Sequence, residues 1–309
     1  MSARFGRSGS WDNRGVTFGG ILTAMVTPFD ERGRVDEDAF VAMVHHLLEN
    51  GSDGLVVSGT TGEGATLSDD EKARIWELAV AEAGGAPVIA GTGTYDTAHS
   101  VHLTERATEI GVDGVLVVTP YYNKPNRRGL RAHFETVAAA TNLPVVLYNI
   151  PGRCVIKIDP DLFEELAQVD NIAAVKQAHA DLGEARAIVD AGLALYAGDD
   201  SLVRPFAEIG GAGGICVSSH LVGERMKEMY EAAAAGDHAR ARAIDDELHD
   251  VYETMFFTAS PGPLKAALNL LGFDAGGLRL PMVELTDDER SRVSAMLDRQ
   301  GLAVSAFRG

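Results

Sequence analysis

From Gly20 onward the chain alternates between two patterns, and that alternation constrains the fold more than any other feature. Short apolar runs occupy Leu22–Val26, Gly54–Val57, Pro87–Ala90, Val115–Val118, Pro144–Tyr148, Ile172–Val175, Leu193–Ala197 and Gly214–Val217. Between them lie stretches with apolar residues at helical spacing: Asp36–Glu49, Ser68–Ala83, Thr97–Ile110, Leu130–Ala140, Pro160–Ala167, Leu182–Asp190 and Ser201–Ile209. Another begins near Ser219. Short apolar runs bounded by turn residues are what a strand buried on both faces needs, and parallel strands need a helical crossover between them. Eight strand–helix units in a chain of 309 residues predict an α/β fold, a closed (β/α)8 TIM barrel. An open doubly wound sheet is the alternative. It calls for a glycine-rich loop after the first strand, and Val26-Thr27-Pro28-Phe29 has none.

Several helix ends are legible. Ser68-Asp69-Asp70-Glu71 is a capping box, Asp159-Pro160 suits a helix start, and Gly51, Gly84, Gly111, Gly192 and Gly210 follow helical stretches. After about Ala239 the strand pattern stops. Ala239–Phe257, Gly262–Leu271 and Asp287–Leu297 read as helices, with Pro261-Gly262-Pro263 as a helix start. The expected organisation is a flexible extension over 1–19, a barrel over 20–238 and a C-terminal helical appendage over 239–309.

In such a barrel the chemistry gathers at the C-terminal ends of the strands. Those ends are polar and glycine-rich in this chain. They include Thr27-Pro28, Ser58-Gly59-Thr60-Thr61-Gly62-Glu63, Gly91-Thr92-Gly93, Thr119-Pro120-Tyr121-Tyr122-Asn123, Tyr148 to Arg153, Lys176, Gly198-Asp199-Asp200 and Ser218-Ser219. Lys176 ends an apolar strand, and it alone of the lysines does so. Lys72 and Lys227 lie on expected helices, Lys124 and Lys157 in loops, and Lys265 in the appendage. Burial there favours a neutral amine able to form a Schiff base; the other reading is a side chain that snorkels to water. The Gly59–Gly62 loop suits a carboxylate or phosphate nest, or is a turn that merely needs glycine. Tyr148 is either a proton relay beside an amine or an interior tyrosine bonded to backbone. Tyr121 and Tyr122 cannot both face inward, so one is free to face a neighbouring subunit. Arg153 carries a fork suited to a carboxylate, or is a surface arginine.

Composition narrows the function. With 27 basic against 45 acidic residues the net charge is −18, which disfavours nucleic acid and anionic membrane as partners. Cys154 and Cys216 are too few for a disulfide framework, neither sits in a CxxC pair and both lie in apolar segments, so a reduced, cytoplasmic setting is expected. No run is long and apolar enough for a membrane span, and no apolar signal core follows Met1. His45-His46 and the pair His99 and His102 fall on expected helices without a strand-end ligand set, so no metal is expected.

Taken together, Gly59-Thr60-Thr61-Gly62-Glu63, Thr119-Pro120-Tyr121-Tyr122-Asn123, Tyr148-Asn149-Ile150-Pro151-Gly152-Arg153, Val175-Lys176, Gly198-Asp199-Asp200 and Gly277-Leu278-Arg279-Leu280-Pro281 resemble the pyruvate-dependent class I aldolases. That family includes the 4-hydroxy-tetrahydrodipicolinate synthases and the N-acetylneuraminate lyases. The resemblance runs from about Gly20 to Leu302 and is closer to the synthase branch, through Thr60-Thr61 and Arg153.

The resemblance implies a role for each residue. Lys176 would form a Schiff base with pyruvate, and Tyr148 would relay protons beside it. Thr60 would link Tyr148 to Tyr122 lent by a neighbouring subunit. Thr60 and Thr61 would hold pyruvate's carboxylate, Arg153 would bind aspartate 4-semialdehyde, and Gly198 and Val217 would line the substrate site. The product would be 4-hydroxy-tetrahydrodipicolinate, on the route to diaminopimelate and lysine. No cofactor is implied, and the assembly would be a homotetramer built as a dimer of dimers.

The alternatives are a related aldolase acting on a 2-keto-3-deoxy sugar acid or N-acetylneuraminate, and a non-catalytic sensor. Two departures stand out. Gln177 takes a position that is often Glu, where a modest change of local charge is expected. Gly64, Asp69, Lys72, Tyr95 and His99 do not match the pattern of lysine-inhibited members, so weak or absent feedback by L-lysine is expected.

Overall fold

The structure is a computed structural model that describes residues 18–303. Eight parallel strands close into a barrel in chain order: β1 (Ile21–Ala24), β2 (Gly54–Val57), β3 (Val88–Gly91), β4 (Gly114–Val118), β5 (Val145–Asn149), β6 (Ile172–Gln177), β7 (Ala194–Ala197) and β8 (Gly213–Cys216). β1 pairs with both β2 and β8, which leaves no sheet edge open. The (β/α)8 expectation holds.

The surrounding helices are α1 (Glu37–Glu49), α2 (Asp69–Glu82), α3 (Thr97–Ile110), α4 (Arg127–Ala139), α5 (Pro151–Cys154), α6 (Pro160–Leu166), α7 (Leu182–Asp190), α8 (Val203–Ala207) and α9 (Ser219–Ala234). Three more, α10 (His238–Phe256), α11 (Gly262–Leu270) and α12 (Asp287–Arg299), follow without intervening strands. The capping box at Ser68 and Glu71 forms as expected, and the Asp159 side chain caps α6. Pro261 caps α11, in line with a helix start there.

Two local readings differ. The segment after β5 winds into the short helix α5, because Pro151 at its first turn pre-sets the helical φ. Ser201–Ile209 is not one helix: a 3₁₀ turn at Asp200–Leu202 precedes α8. The Asp199 side chain accepts from Ser201 N, and the Asp200 carboxylate is anchored to the end of β8, which keeps the turn tight.

Strand alternation sorts the core into two layers. Leu22, Val56, Ile89, Leu116, Val146, Tyr148, Ala174, Tyr196 and Ile215 fill the barrel, while residues such as Leu55, Val88, Val115, Leu147 and Val175 pack against the helices. The barrel is therefore a packed interior that opens only at its rim. Its floor is closed by Phe18, whose N–H donates to the Tyr196 hydroxyl at 2.9 Å; that hydroxyl donates to Gly19 O at 3.2 Å. Phe18 and Gly19, assigned by sequence to the flexible extension, are thus part of the barrel floor; the rest of that segment, 1–17, lies outside the described residues. No helix among the described residues is long and apolar enough to cross a membrane.

Candidate active site

Lys176 is the fifth residue of β6. Alternation turns Ala174 and Lys176 inward, while Val175 and Gln177 face the helices. Its backbone neighbours in register are Tyr148 on β5 and Tyr196 on β7, so three long side chains enter the barrel from adjacent strands. Lys176 is only 5% exposed, and its Nζ sits 4.5 Å from the centre of the Tyr148 ring. This is not a snorkelling geometry. Burial is the largest influence on the amine and holds its pKa down at about 8. Cys216 and Asp200 partly oppose that shift, and the Arg153 guanidinium adds to it.

Tyr148 is fixed from its backbone outward. Thr119 at the end of β4 donates to Tyr148 O through both its N–H, at 2.9 Å, and its hydroxyl, at 2.8 Å. Burial pushes the phenol up to about 12, while Arg153 and a hydrogen bond to the Thr60 side chain pull it back. A phenol that keeps its proton beside an amine that readily loses one is a proton donor and acceptor pair, which imine chemistry requires.

Thr60 and Thr61 sit in a tightly wound loop after β2. Glu63 N donates to Thr60 O at 3.1 Å and Gly64 N to Gly59 O at 3.0 Å. Ser58 and Glu63, at φ of 56° and 52°, turn the chain at either end. Thr27 at the end of β1 donates its hydroxyl to Gly62 O at 2.7 Å. Among the described residues these bonds leave the Thr60 and Thr61 N–H groups open, as an anion nest needs. Thr61 is buried and Thr60 is exposed on the rim.

Arg153 is exposed on α5 and close enough to influence both Tyr148 and Lys176. Of the tyrosine pair, Tyr121 is half-buried and meets Tyr95 edge-on at 5.5 Å. Tyr122 is 92% exposed at φ of 72°, a left-handed conformation that turns its ring out of the protomer.

Gly198 and Val217 complete the rim. A Cβ on Gly198 would lie 2.9 Å from Ala178 Cβ and 3.1 Å from Lys176 Cγ, so the glycine leaves room for the lysine stem. If Lys176 forms the Schiff base with pyruvate that the resemblance implies, Gly198→Ala is expected to shift that stem and to lower the rate of pyruvate-dependent trapping at Lys176 by about 100-fold, since small displacements at reacting groups have effects of that order. Trapping at the wild-type rate would show that the site absorbs the methyl group. Val217 N–H and Ser218 N–H donate to the two Asp200 carboxylate oxygens at 2.9 and 2.7 Å. His220 bonds Val217 O through Nδ1 at 2.8 Å and accepts from Val26 N at 3.2 Å, so its ring is the Nδ1–H tautomer; burial holds its pKa at about 4.

Sequence reasoning passed over Asp200, which is buried at the rim and fixes Val217. Its motif is legible in the sequence, but the resemblance marks only the glycine of Gly198-Asp199-Asp200 as a site residue. Nothing local marks Lys265 in the appendage or Lys72 on α2 as buried, yet they are 2% and 6% exposed. Gln177 lies outside the barrel interior, its side chain accepting from Asn149 Nδ2 at 2.8 Å. A Gln for Glu exchange there therefore acts on the helix side of β6. His99 and His102 on α3 approach Asp69 at the start of α2, at 2.9 and 3.9 Å. Among the described residues no three His, Cys, Asp or Glu side chains converge as a ligand set.

Comparisons with known proteins span nearly the whole chain. The pattern of the Dihydrodipicolinate synthetase family matches residues 17–300. The 4-hydroxy-tetrahydrodipicolinate synthase of Desulforamulus reducens is 46% identical over 92% of this chain and 97% of its own. That of Bacillus subtilis is 44% identical over 91% of this chain and 99% of its own. The solved dihydrodipicolinate synthase of Bacillus anthracis superposes with a TM-score of 0.89 at 41% identity, covering 92% of this chain and 99% of that one. With lysine, tyrosine, threonines and arginine gathered on the rim of one barrel, and with these likenesses over nearly the whole length, the chain belongs to the dihydrodipicolinate synthetase family.

Proposed function

We propose that this protein is an enzyme that condenses pyruvate with L-aspartate 4-semialdehyde to give 4-hydroxy-tetrahydrodipicolinate, in the biosynthesis of diaminopimelate and lysine. The observation that carries the reading is the buried Lys176 amine, held at about pKa 8 against the Tyr148 ring. The neutral amine attacks pyruvate C2, and water leaves as the Schiff base forms. Loss of a C3 proton gives an enamine, which attacks the aldehyde carbon. The amine of the adduct then displaces Lys176 at C2 and closes the ring. One water is released overall, and the lysine serves as electron sink without a cofactor or metal.

Tyr148 moves protons at the amine and carbinol stages, relayed through Thr60. Thr60 and Thr61 hold pyruvate's carboxylate on their open N–H groups and hydroxyls. Arg153 takes the carboxylate of the aldehyde substrate, and Gly198 and Val217 shape the wall. The outward Tyr122 completes the relay of a neighbouring protomer, so the working unit is at least a dimer, and a homotetramer is the expected assembly. Two buried free cysteines accord with a cytoplasmic setting.

Borohydride reduction in the presence of pyruvate, followed by peptide mass mapping, tests the mechanism. Modification at Lys176 is expected; none, or modification elsewhere, sinks it. A coupled reductase assay with the aldehyde then tests the substrate. Feedback by L-lysine is expected to be weak or absent, since Asp69 is engaged by His99 and Lys72 is buried. Strong inhibition at sub-millimolar lysine would overturn that expectation.

A further inference from the structure

The C-terminal helices reach the nest through a buried ion pair. Glu63 closes the Gly59–Glu63 loop, and Lys265 sits in the first turn of α11. Lys265 Nζ lies 2.7 Å from Glu63 Oε1, and both side chains are 2% exposed. The other carboxylate oxygen, Oε2, accepts from Arg279 N at 2.9 Å. Lys265 also donates to Gly277 O at 2.7 Å and stands 4.1 Å from the centre of the Phe29 ring, and the Arg279 guanidinium faces the same ring at 4.4 Å. Arg279 further bonds Thr66 O at 2.9 Å and the Glu71 carboxylate at 2.5 and 2.8 Å, so one segment of the appendage grips the loop and the start of α2 together. The approach is close enough that a Cβ on Gly276 would fall 1.8 Å from Phe29 O.

A pair this buried is a poor device for stability alone, because desolvation offsets most of its attraction. What it supplies is direction. The Glu63 backbone is left-handed, and its N–H bonds Thr60 O, so the side chain's anchorage sets the path of the loop just beyond Thr61. We propose that Glu63 and Lys265 are a positioning pair through which the appendage holds the Thr60–Thr61 nest in the shape that receives pyruvate's carboxylate. The inference rests on the reading of that nest as the carboxylate's holder. The carboxylate is bound alike before and during the reaction, so loss of the nest's shape raises KM and leaves kcat.

The test compares Glu63→Gln, Lys265→Met and the double variant with the wild-type enzyme. Removing one charge strands the other in the interior, so the single variants are expected to lose stability, whereas the double variant leaves no unpaired charge. In the double variant a cooperative melt should persist. KM for pyruvate should rise tenfold or more, with kcat within threefold and KM for the aldehyde unchanged. Half-saturation of borohydride trapping by pyruvate should rise in parallel. A folded double variant with wild-type pyruvate half-saturation overturns the proposal, as does a loss confined to kcat. Should that variant not fold, Lys265→Arg keeps the charge but changes the reach, and at least a threefold rise in pyruvate half-saturation is expected; no change overturns the proposal. Wild-type enzyme that fails to trap pyruvate at Lys176 instead refutes the catalytic reading on which the inference rests.

Discussion

Lys176→Met is expected to abolish turnover, by on the order of 10⁴-fold or more, because the covalent route has no second nucleophile. The same variant should be more stable than the wild type near neutrality. The amine's pKa is about 8 in the folded protein against 10.5 for an ordinary lysine. Between those values the unfolded chain holds a proton that the folded chain does not, so stability rises with pH across that window. Below about pH 8 the whole penalty is present, about 3 kcal/mol at roughly 1.4 kcal/mol per unit. Methionine fills nearly the same volume without a charge, so up to about that much stability should be recovered at pH 7. The gain should shrink as the pH rises from about 8 to 10.5 and be absent above that. Denaturant titrations at both pH values check it, and a variant less stable than wild type at pH 7 contradicts the picture of a desolvated amine. The kinetic counterpart is kcat/KM for pyruvate, which should climb about tenfold per pH unit below pH 8 and then level as the amine becomes fully deprotonated.

Tyr148→Phe is the second large effect. It keeps the ring against Lys176 and removes only the hydroxyl, so fold and amine environment should persist. Loss of a positioned proton donor lowers kcat by about 10² to 10³-fold on general acid–base magnitudes. Stability should change by only about 1 kcal/mol, the worth of one buried hydrogen bond. Steady-state kinetics alongside a thermal melt separate the two. A kcat within threefold of wild type would remove Tyr148 from the chemistry. Because the phenol's pKa is raised to about 12, it carries no charge through the working range. The alkaline limb of the rate profile should therefore not fall until well above the lysine's titration.

The barrel was legible because its signal is local and repeated. Each strand is a short apolar run and each crossover an amphipathic stretch, and eight such units in one chain predict a closed parallel barrel. Lys176 was legible for the same reason, as a lone charge in a run that otherwise has none. Asp200 was harder to read. In sequence it looks like one more helix-start aspartate, and only the turn back toward β8 gives its carboxylate two backbone amides to hold. Local pattern does not rank Tyr121 against Tyr122, and the resemblance alone singles out Tyr122; the left-handed backbone there turns its ring outward. The short helix α5, which carries Arg153, is not legible in the sequence, because four residues are too few to show a helical period.

By itself, then, the chain's pattern determined the closed barrel, the inward lysine on β6 and the polar rim around it. These follow from periodicity and from the rule that strand ends face the open mouth, both of which act over a few residues. Tertiary structure alone decided the amine's low pKa, its stacking on Tyr148, and the burial of Lys265 against Glu63. Those depend on which distant segments exclude water from a charge. In the sequence Lys265 is only a lysine on a helix of the C-terminal appendage. What makes it the most deeply buried lysine is the approach of the Gly276–Arg279 segment and Phe29 from elsewhere in the chain. Desolvation is a property of the packed whole, and no local pattern of residues encodes it.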